Sequence, residues 1–297
     1  MRDAVQTGEQ VMDQLVAEKP ALIETPSGKG ARDENFPVAS FLLPARLRPH
    51  IMRFYAFARA ADDVADNREL APEDKLRRLD HFEEALDGSY DLPVAITLRE
   101  SLKATGVSDR HARDLLVAFR MDATRQRYDD WEDLLLYCRY SANPVGRYLM
   151  DLHGENPALH AASDALCTVL QILNHLQDCQ RDWKNLDRVY LPLGWLAEHG
   201  VEVSDLGAPA SSPGLRLVLD RALDRCDALI GTARERPMRP ESRRLHAEMV
   251  VITRLAARLA ARLRVEDPLA GRVALSKPDF LRAMFAGIAA LGNSRRG

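Results

Sequence analysis

A chain of 297 residues with 41 basic and 44 acidic side chains, net charge −3, lacks the basic excess of a nucleic-acid-binding protein. The length sits near the upper size for one hydrophobic core, and 46% hydrophobic with 29% charged residues is ordinary globular composition. No apolar stretch approaches the ~18 residues of a membrane span, and no apolar signal segment follows Met1, Arg2 and Asp3.

Four cysteines, Cys138, Cys167, Cys179 and Cys226, form no CxxC pair and no zinc-like spacing with histidine. Reduced, mostly buried thiols in a cytoplasmic protein are expected.

In chain order, residues 1–32 read as a short helix and a partly mobile segment, punctuated by Pro20, Pro26, Gly28 and Gly30. Residues 33–292 read as one domain without internal repeats. Strand signals are scarce, while helical periodicity recurs and Ala, Leu and Arg dominate. The spacing predicts a long helix from Pro44 to Asn67, then helices near 73–87, 93–104, 108–125, 130–152 and 158–184. A Gly/Pro/Ser-rich loop spans Leu206 to Gly214, and helices resume near 213–234, 239–264 and 276–292. The fold class is all-α.

Two of these helices carry unusual charge. Ile51, Phe54, Tyr55 and Ala58 follow the i, i+3, i+4, i+7 stripe of an amphipathic helix, and the stripe continues into Asp62 and Asp66. Carboxylates on a face that should be buried are costly unless paired or bound to metal. A cavity holding Mg²⁺ is one resolution, since that ion takes one or two carboxylates plus substrate phosphate. Emergence of the helix into solvent is the other. Asp63 points off this face, toward a supporting or surface role.

On the later helix Gln171, Asn174, Asp178 and Asp182 share an arc, opposite Leu166, Val169, Ile172, Leu173 and Leu176. Solvated faces usually carry Lys, Glu and Arg, whereas this strip offers oxygen ligands and amides. Two DxxxD helices in one all-α chain can hold metal ions around a diphosphate and ease its departure as a leaving group. The resulting carbocation needs a dry pocket.

These residues resemble the squalene/phytoene synthase family. Tyr55 to Asp66 is similar to its first aspartate-rich signature. Gln171 to Asp182, followed by Arg188-Val-Tyr190-Leu-Pro192, is similar to the second. Tyr137-Cys138-Arg139-Tyr140, running on to Val145-Gly146, resembles its central Tyr-Cys segment, with Arg139 at the third place as a departure. Glu34 to Val38, Leu43 to Arg48 and Tyr140 to Arg147 look most like the family's bacterial hopanoid-pathway branch.

The resemblance implies an isoprenoid-synthase bundle around a central cavity. It implies an enzyme of lyase or transferase type that converts presqualene diphosphate and water to hydroxysqualene and diphosphate. Carried over by position, Asp62, Asp66, Asp178 and Asp182 would be Mg²⁺ ligands. Gln171 and Asn174 would line the diphosphate or metal site. Tyr55, Arg59 and Tyr137 would contact diphosphate or shape the cavity, and Arg188 and Tyr190 would close it. The rival activities are head-to-head condensation of prenyl diphosphates, or an inactive lipid-binding or assembly module.

Other side chains are weighed on the residues alone. Arg139 and Arg147 suit the grip of an Arg fork on phosphate oxygens, or lie on the surface. Arg181 reads as an ion-pair residue and His175 as a core or supporting histidine. Phe54, Phe57, Phe285 and Tyr148 can shield a cation or pack the core. No G-x-G-x-x-G follows a strand, so a dinucleotide-binding unit is not expected and quenching by water suits the chain. A long hydrocarbon substrate with a charged head suggests peripheral contact with the inner face of the membrane through residues near 283–291. A buried C-terminal helix is the alternative.

Overall fold

The computed structural model describes residues 42–235 and 240–293. The segment expected at 1–32, and the Glu34 to Val38 motif, lie outside the described residues. Eleven α-helices occur among those described, and no strand.

They are α1 (Arg48–Asp66), α2 (Pro72–Asp87), α3 (Pro93–Thr105), α4 (Arg110–Thr124), α5 (Trp131–Ser141), α6 (Asn143–His153), α7 (His160–Leu186), α8 (Leu193–Glu198), α9 (Pro213–Glu235), α10 (Arg243–Leu263) and α11 (Lys277–Asn293). Short 3₁₀ turns at Pro157–Leu159 and Val203–Gly207 join them. No described helix is long and apolar enough to cross a membrane.

Local chemistry explains the boundaries. Proline sits in the first turn of α1, α2, α3 and α6, where its missing N–H costs nothing. The Asp130 carboxylate accepts from the Asp133 amide to start α5, and Ser242 does the same for Leu245 at α10. The helix expected over 130–152 divides at Ala142, just before Pro144, which cannot donate to the preceding turn. Six-residue α8 was not foreseen, because it is too short to show a period.

The 27-residue α7 is the spine, packing against α5, α6, α9 and α10. On one side α1 to α4 enclose Phe57, Phe82, Leu79 and Leu98, all at 0% exposure. On the other, α5, α7, α9, α10 and the 189–206 stretch bury Leu173, Leu219, Leu223 and Leu259. The α10 and α11 helices form an antiparallel hairpin, since Arg243 reaches Leu291 while Arg258 reaches Asp279.

One turn decides where the site forms. At the end of α7, Asp187 takes φ 51°, the left-handed conformation usually left to glycine. Its amide bonds the Trp183 carbonyl at 3.0 Å and the Arg188 amide bonds the Asp182 carbonyl at 3.2 Å. Arg127 ties the Asp187 carboxylate at 2.6 Å. The outgoing chain then runs beside the α4–α5 connection, with Val189 N–H bonded to Gln126 O at 2.9 Å and Leu193 N–H to Tyr128 O at 2.9 Å. The reversal turns Arg188 and Tyr190 back into the bundle. Replacing Asp187 by Val, which resists positive φ, should cost about 1–2 kcal/mol in urea unfolding. Asp187→Asn, which tolerates that conformation, should stay within about 0.5 kcal/mol of the parent.

Candidate active site

The carboxylates of α1 sit on a flank of its buried face. The residues facing the core are Ile51, Phe54, Phe57, Ala61, Val64 and Ala65, whereas Tyr55, Ala58, Asp62 and Asp66 are half-buried. The stripe predicted through the aspartates is therefore the border of the core and not its centre, which leaves both acids reachable. Asp63 is buried at 7% exposure, not on the surface. It accepts from Arg59 Nη2 at 2.5 Å, while Arg59 Nη1 lies 3.0 Å from Asp62. Arg59, expected at the diphosphate, is thus already matched by two carboxylates of its own helix.

Arg188 is the hub of the cluster. Its Nη1 reaches Asp66 Oδ1 at 2.5 Å. Its Nη2 donates to the carbonyls of Ala65 at 3.1 Å and Asp122 at 3.0 Å. The Asp122 carboxylate, on α4, lies 3.9 Å from Arg188 Nε and is only 5% exposed. Tyr137 from α5 and Tyr190 each donate a phenol hydrogen bond to Asp122, both at 3.0 Å. Burial opposes the Arg188 charge, but Asp122, Tyr190 and Asp66 outweigh it and hold the guanidinium more firmly protonated than usual. Burial raises Asp122, with Arg188 pulling the other way. Burial also lifts both tyrosines well above the ordinary phenol value, which keeps them as donors.

The cluster leads across to the second acidic helix. Tyr190 stacks on His175 of α7 with ring centroids 3.5 Å apart. His175 Nε2 lies 3.1 Å from the Gln171 amide, and Nδ1 lies 3.7 Å from Asp182. One turn earlier Asp178 pairs with Arg181. A path of contacts therefore joins Asp66 to Asp182 through Arg188, Asp122, Tyr190 and His175. Beside it, walled by Leu134, Ile172, His175, Cys179, Tyr190 and Leu206, is an apolar cavity of about 10 Å³, close to the smallest that holds one water.

The sequence-derived residues fall into three sets. The structure gathers Asp66, Arg188, Tyr190 and Tyr137 around Asp122, with Asp62 and Arg59 alongside. Asp182 and Gln171 flank His175, and Asn174 and Asp178 are half-buried on the same helix. Tyr55 is half-buried on α1, one helical face with Asp62. Arg139 is not brought in: it is exposed, on the side of α5 away from Tyr137. Arg147 is committed to Asp164 at 2.6 Å. Phe54 stacks on Tyr148 at 4.0 Å and Phe57 meets Phe82 edge-on, so these rings pack the core, while Phe285 is 63% exposed.

Sequence reasoning missed Asp122. The signal was available, because Leu115, Ala118, Phe119 and Asp122 share one apolar stripe ending in a carboxylate. That is the argument that singled out Asp62 and Asp66.

The donor set suits a hard divalent ion. Asp62 is driven well above its ordinary value of 3.8, first by desolvation and then by the neighbouring Asp66. Desolvation, joined by Asp182 and opposed by Arg181, also raises Asp178. Among the described residues no three His, Cys, Asp or Glu side chains converge into a ready-made metal cage. Each pair can offer two carboxylates, the number Mg²⁺ takes when water and phosphate supply the rest.

All-α helical bundles of this architecture occur among the isoprenoid synthases. The structure superposes on the squalene synthase HpnC from Alicyclobacillus acidocaldarius with TM-score 0.60 and 30% identity, covering 87% of each chain. It also superposes on a dehydrosqualene synthase in complex with ligand, TM-score 0.72 at 20% identity, over 87% of this chain and 92% of that one, a likeness of fold alone. The squalene/phytoene synthase family model matches residues 30–279, and the chain belongs to that family. It is 47% identical over 263 residues to a hydroxysqualene synthase of Rhodopseudomonas palustris, covering 88% of this chain and 90% of that one. A hydroxysqualene synthase of Sinorhizobium fredii is 43% identical, over 88% and 89% of the two chains. A phytoene synthase of Mycobacterium tuberculosis is 33% identical over 64% and 66%.

Two measurements probe this arrangement. Arg188→Met leaves Asp122 buried without its cation and should cost about 3–5 kcal/mol in urea unfolding. The second concerns Asp62. Its folded-state value is raised, so the folded chain binds its proton more tightly than the unfolded chain does. Stability from this group is complete below about pH 4 and is lost as pH rises through the raised value. In EDTA, the stability of the parent relative to Asp62→Asn should therefore decline from about pH 4 upward. A flat difference would show that Asp62 is not perturbed.

Proposed function

We propose that this chain is a Mg²⁺-dependent isoprenoid synthase that converts presqualene diphosphate and water to hydroxysqualene and diphosphate. The observation that carries the reading is the chain of contacts from Asp66 through the buried Arg188, Asp122 and Tyr190 to His175 and Asp182, which ties both aspartate motifs to one polar centre at an apolar wall. The choice of substrate rests on the likeness, at 42–47% identity, to three hydroxysqualene synthases.

Asp62 and Asp66 on α1, and Asp178 and Asp182 on α7, would hold Mg²⁺, which would supply the positive charge that a departing diphosphate needs as it takes the electron pair of the broken C–O bond. Arg188 fixes Asp66, and Asp122 fixes Arg188, so the α1 carboxylate is held in place before substrate arrives. Gln171 and Asn174 line the diphosphate side. Tyr55 and Tyr137 shape the pocket near the reacting carbon. Arg59 keeps Asp62 oriented through the ion pair they share.

The cyclopropylcarbinyl cation left behind rearranges, one water adds to it, and a water proton is lost to give the alcohol. The rings of Tyr137, Tyr190 and Tyr128 form the apolar wall that keeps other water away. Ligand pockets for organic molecules usually span roughly 300–1,000 Å³, so a long isoprenoid tail must widen the space beside Tyr190. The catalytic unit spans residues 33–292. Because the substrate partitions into lipid, the enzyme works against a membrane surface on the cytoplasmic side.

Purified protein incubated with presqualene diphosphate and Mg²⁺, without NADPH, should yield hydroxysqualene by mass spectrometry, and EDTA should abolish it. Turnover of farnesyl diphosphate alone would instead support head-to-head condensation. Asp62→Asn and Asp178→Asn should each lower kcat by roughly a hundredfold or more. Full activity in both would remove the metal-cluster mechanism.

A further inference from the structure

The outward face of α11 combines greasy and cationic surface in a single stripe. Leu281, Phe285 and Ile288 are 58%, 63% and 51% exposed. Their spacing of four and three residues puts them on one line along the helix. Lys277 begins the same line one turn earlier, and Arg282 adjoins it, both exposed. On the inner face Ala283 packs with Leu42, Ala247, Val251 and Leu255. The stripe is therefore the surface left over after α11 has docked on α10.

Charge on this hairpin is one-sided. Residues 243–293 hold nine Lys and Arg against four Asp and Glu, while the whole chain is net −3. The two acids within α10 and α11, Glu248 and Asp279, are 3% and 5% exposed, and Asp279 is matched by Arg258 at 2.9 Å. Along both helices the exposed charges are thus cationic. The sequence continues after the helix into Arg295 and Arg296. A bulky apolar line edged by cations, with no exposed acid, is the surface of a helix that lies in a lipid interface. A second copy of this chain suits it less well, because the same face would oppose its own positive charge.

We propose that α11 docks the protein on an anionic bilayer, with Phe285 and Ile288 in the acyl boundary and Lys277 and Arg282 at lipid phosphates. This deepens the reading of a lipid-derived substrate, since it assigns the surface that meets the membrane. Helix α11 lies in the plane of the bilayer and does not cross it, in keeping with its 17 residues.

The test is flotation of the full-length protein with phosphatidylcholine vesicles, with and without phosphatidylglycerol. Parent protein should float with the anionic vesicles and lose most binding at high salt. The double variant Phe285→Ser/Ile288→Ser should bind about tenfold more weakly, and Lys277→Glu/Arg282→Glu should lose the preference for anionic lipid. Both should keep the parent's melting temperature and its turnover of detergent-dispersed substrate, so a failure of the catalytic reading is seen separately. In Phe285→Trp, the added fluorescence should shift to the blue with vesicles and be quenched by brominated lipid. Undiminished flotation of both double variants would overturn the proposal. So would a tryptophan at 285 already shifted in buffer and deaf to vesicles, which would mean that residues 1–41 or a second copy cover the stripe.

Discussion

A carboxylate in the middle of a helical bundle is the constraint around which this protein is arranged. Asp122 is 5% exposed, and an isolated buried charge there would cost several kcal/mol. Three donors from separate parts of the chain make it tolerable: the guanidinium of Arg188 and the phenols of Tyr137 and Tyr190. They come from α5 and from the turn after α7, while Arg188 also grips the end of α1. Four segments are thus held to one point by electrostatics that tolerate little displacement. A cluster of this kind is weak evidence for stability, since apolar side chains of equal volume would do as well or better. Its value is geometric: it fixes where Asp66 stands.

The surrounding acids follow the opposite logic. Asp164 is matched by Arg147 and Asp133 by Arg125, each a closed pair. Asp62 and Asp66 are neighbours one turn apart, as are Asp178 and Asp182, and the charge of the neighbour adds to the desolvation that raises Asp62 and Asp178. Arg59, Arg181 and Arg188 offset this only in part. Beside these closed pairs the fold sets four half-buried carboxylates in two i, i+4 pairs, the donor set that the proposed Mg²⁺ would use. Oxygen donors in pairs, with phosphate and water completing the shell, suit Mg²⁺ better than the softer metals that prefer cysteine or histidine. The four cysteines are free thiols, three buried and Cys167 half-buried, away from any such role.

The outer surface carries a second feature. Under the proposed function the Asp122 cluster would meet the charged head of the substrate, and the α11 stripe would meet the lipid phase that holds its hydrocarbon tail. The two features are independent in the chain. The first depends on α1, α4, α5, α7 and the 187–192 turn, and the second on the hairpin of α10 and α11.

The sequence by itself determined the all-α class, most helix positions and both aspartate motifs, because periodicity and i, i+4 spacing are properties of a single helix. It also marked Arg188 and Tyr190, through the likeness of the residues after the second motif to a known pattern. Three things were decided only in the tertiary structure. Asp122 became the centre because partners 15 and 68 residues away in sequence converge on it, a distance over which no local period operates. Arg139 was turned outward because the roll of α5 about its axis is set by packing. Phe285, equally apolar on paper to Phe57, faces outward because α11 buries its other side against α10. Local spacing says which residues share a face, but only the neighbouring helices decide where that face looks.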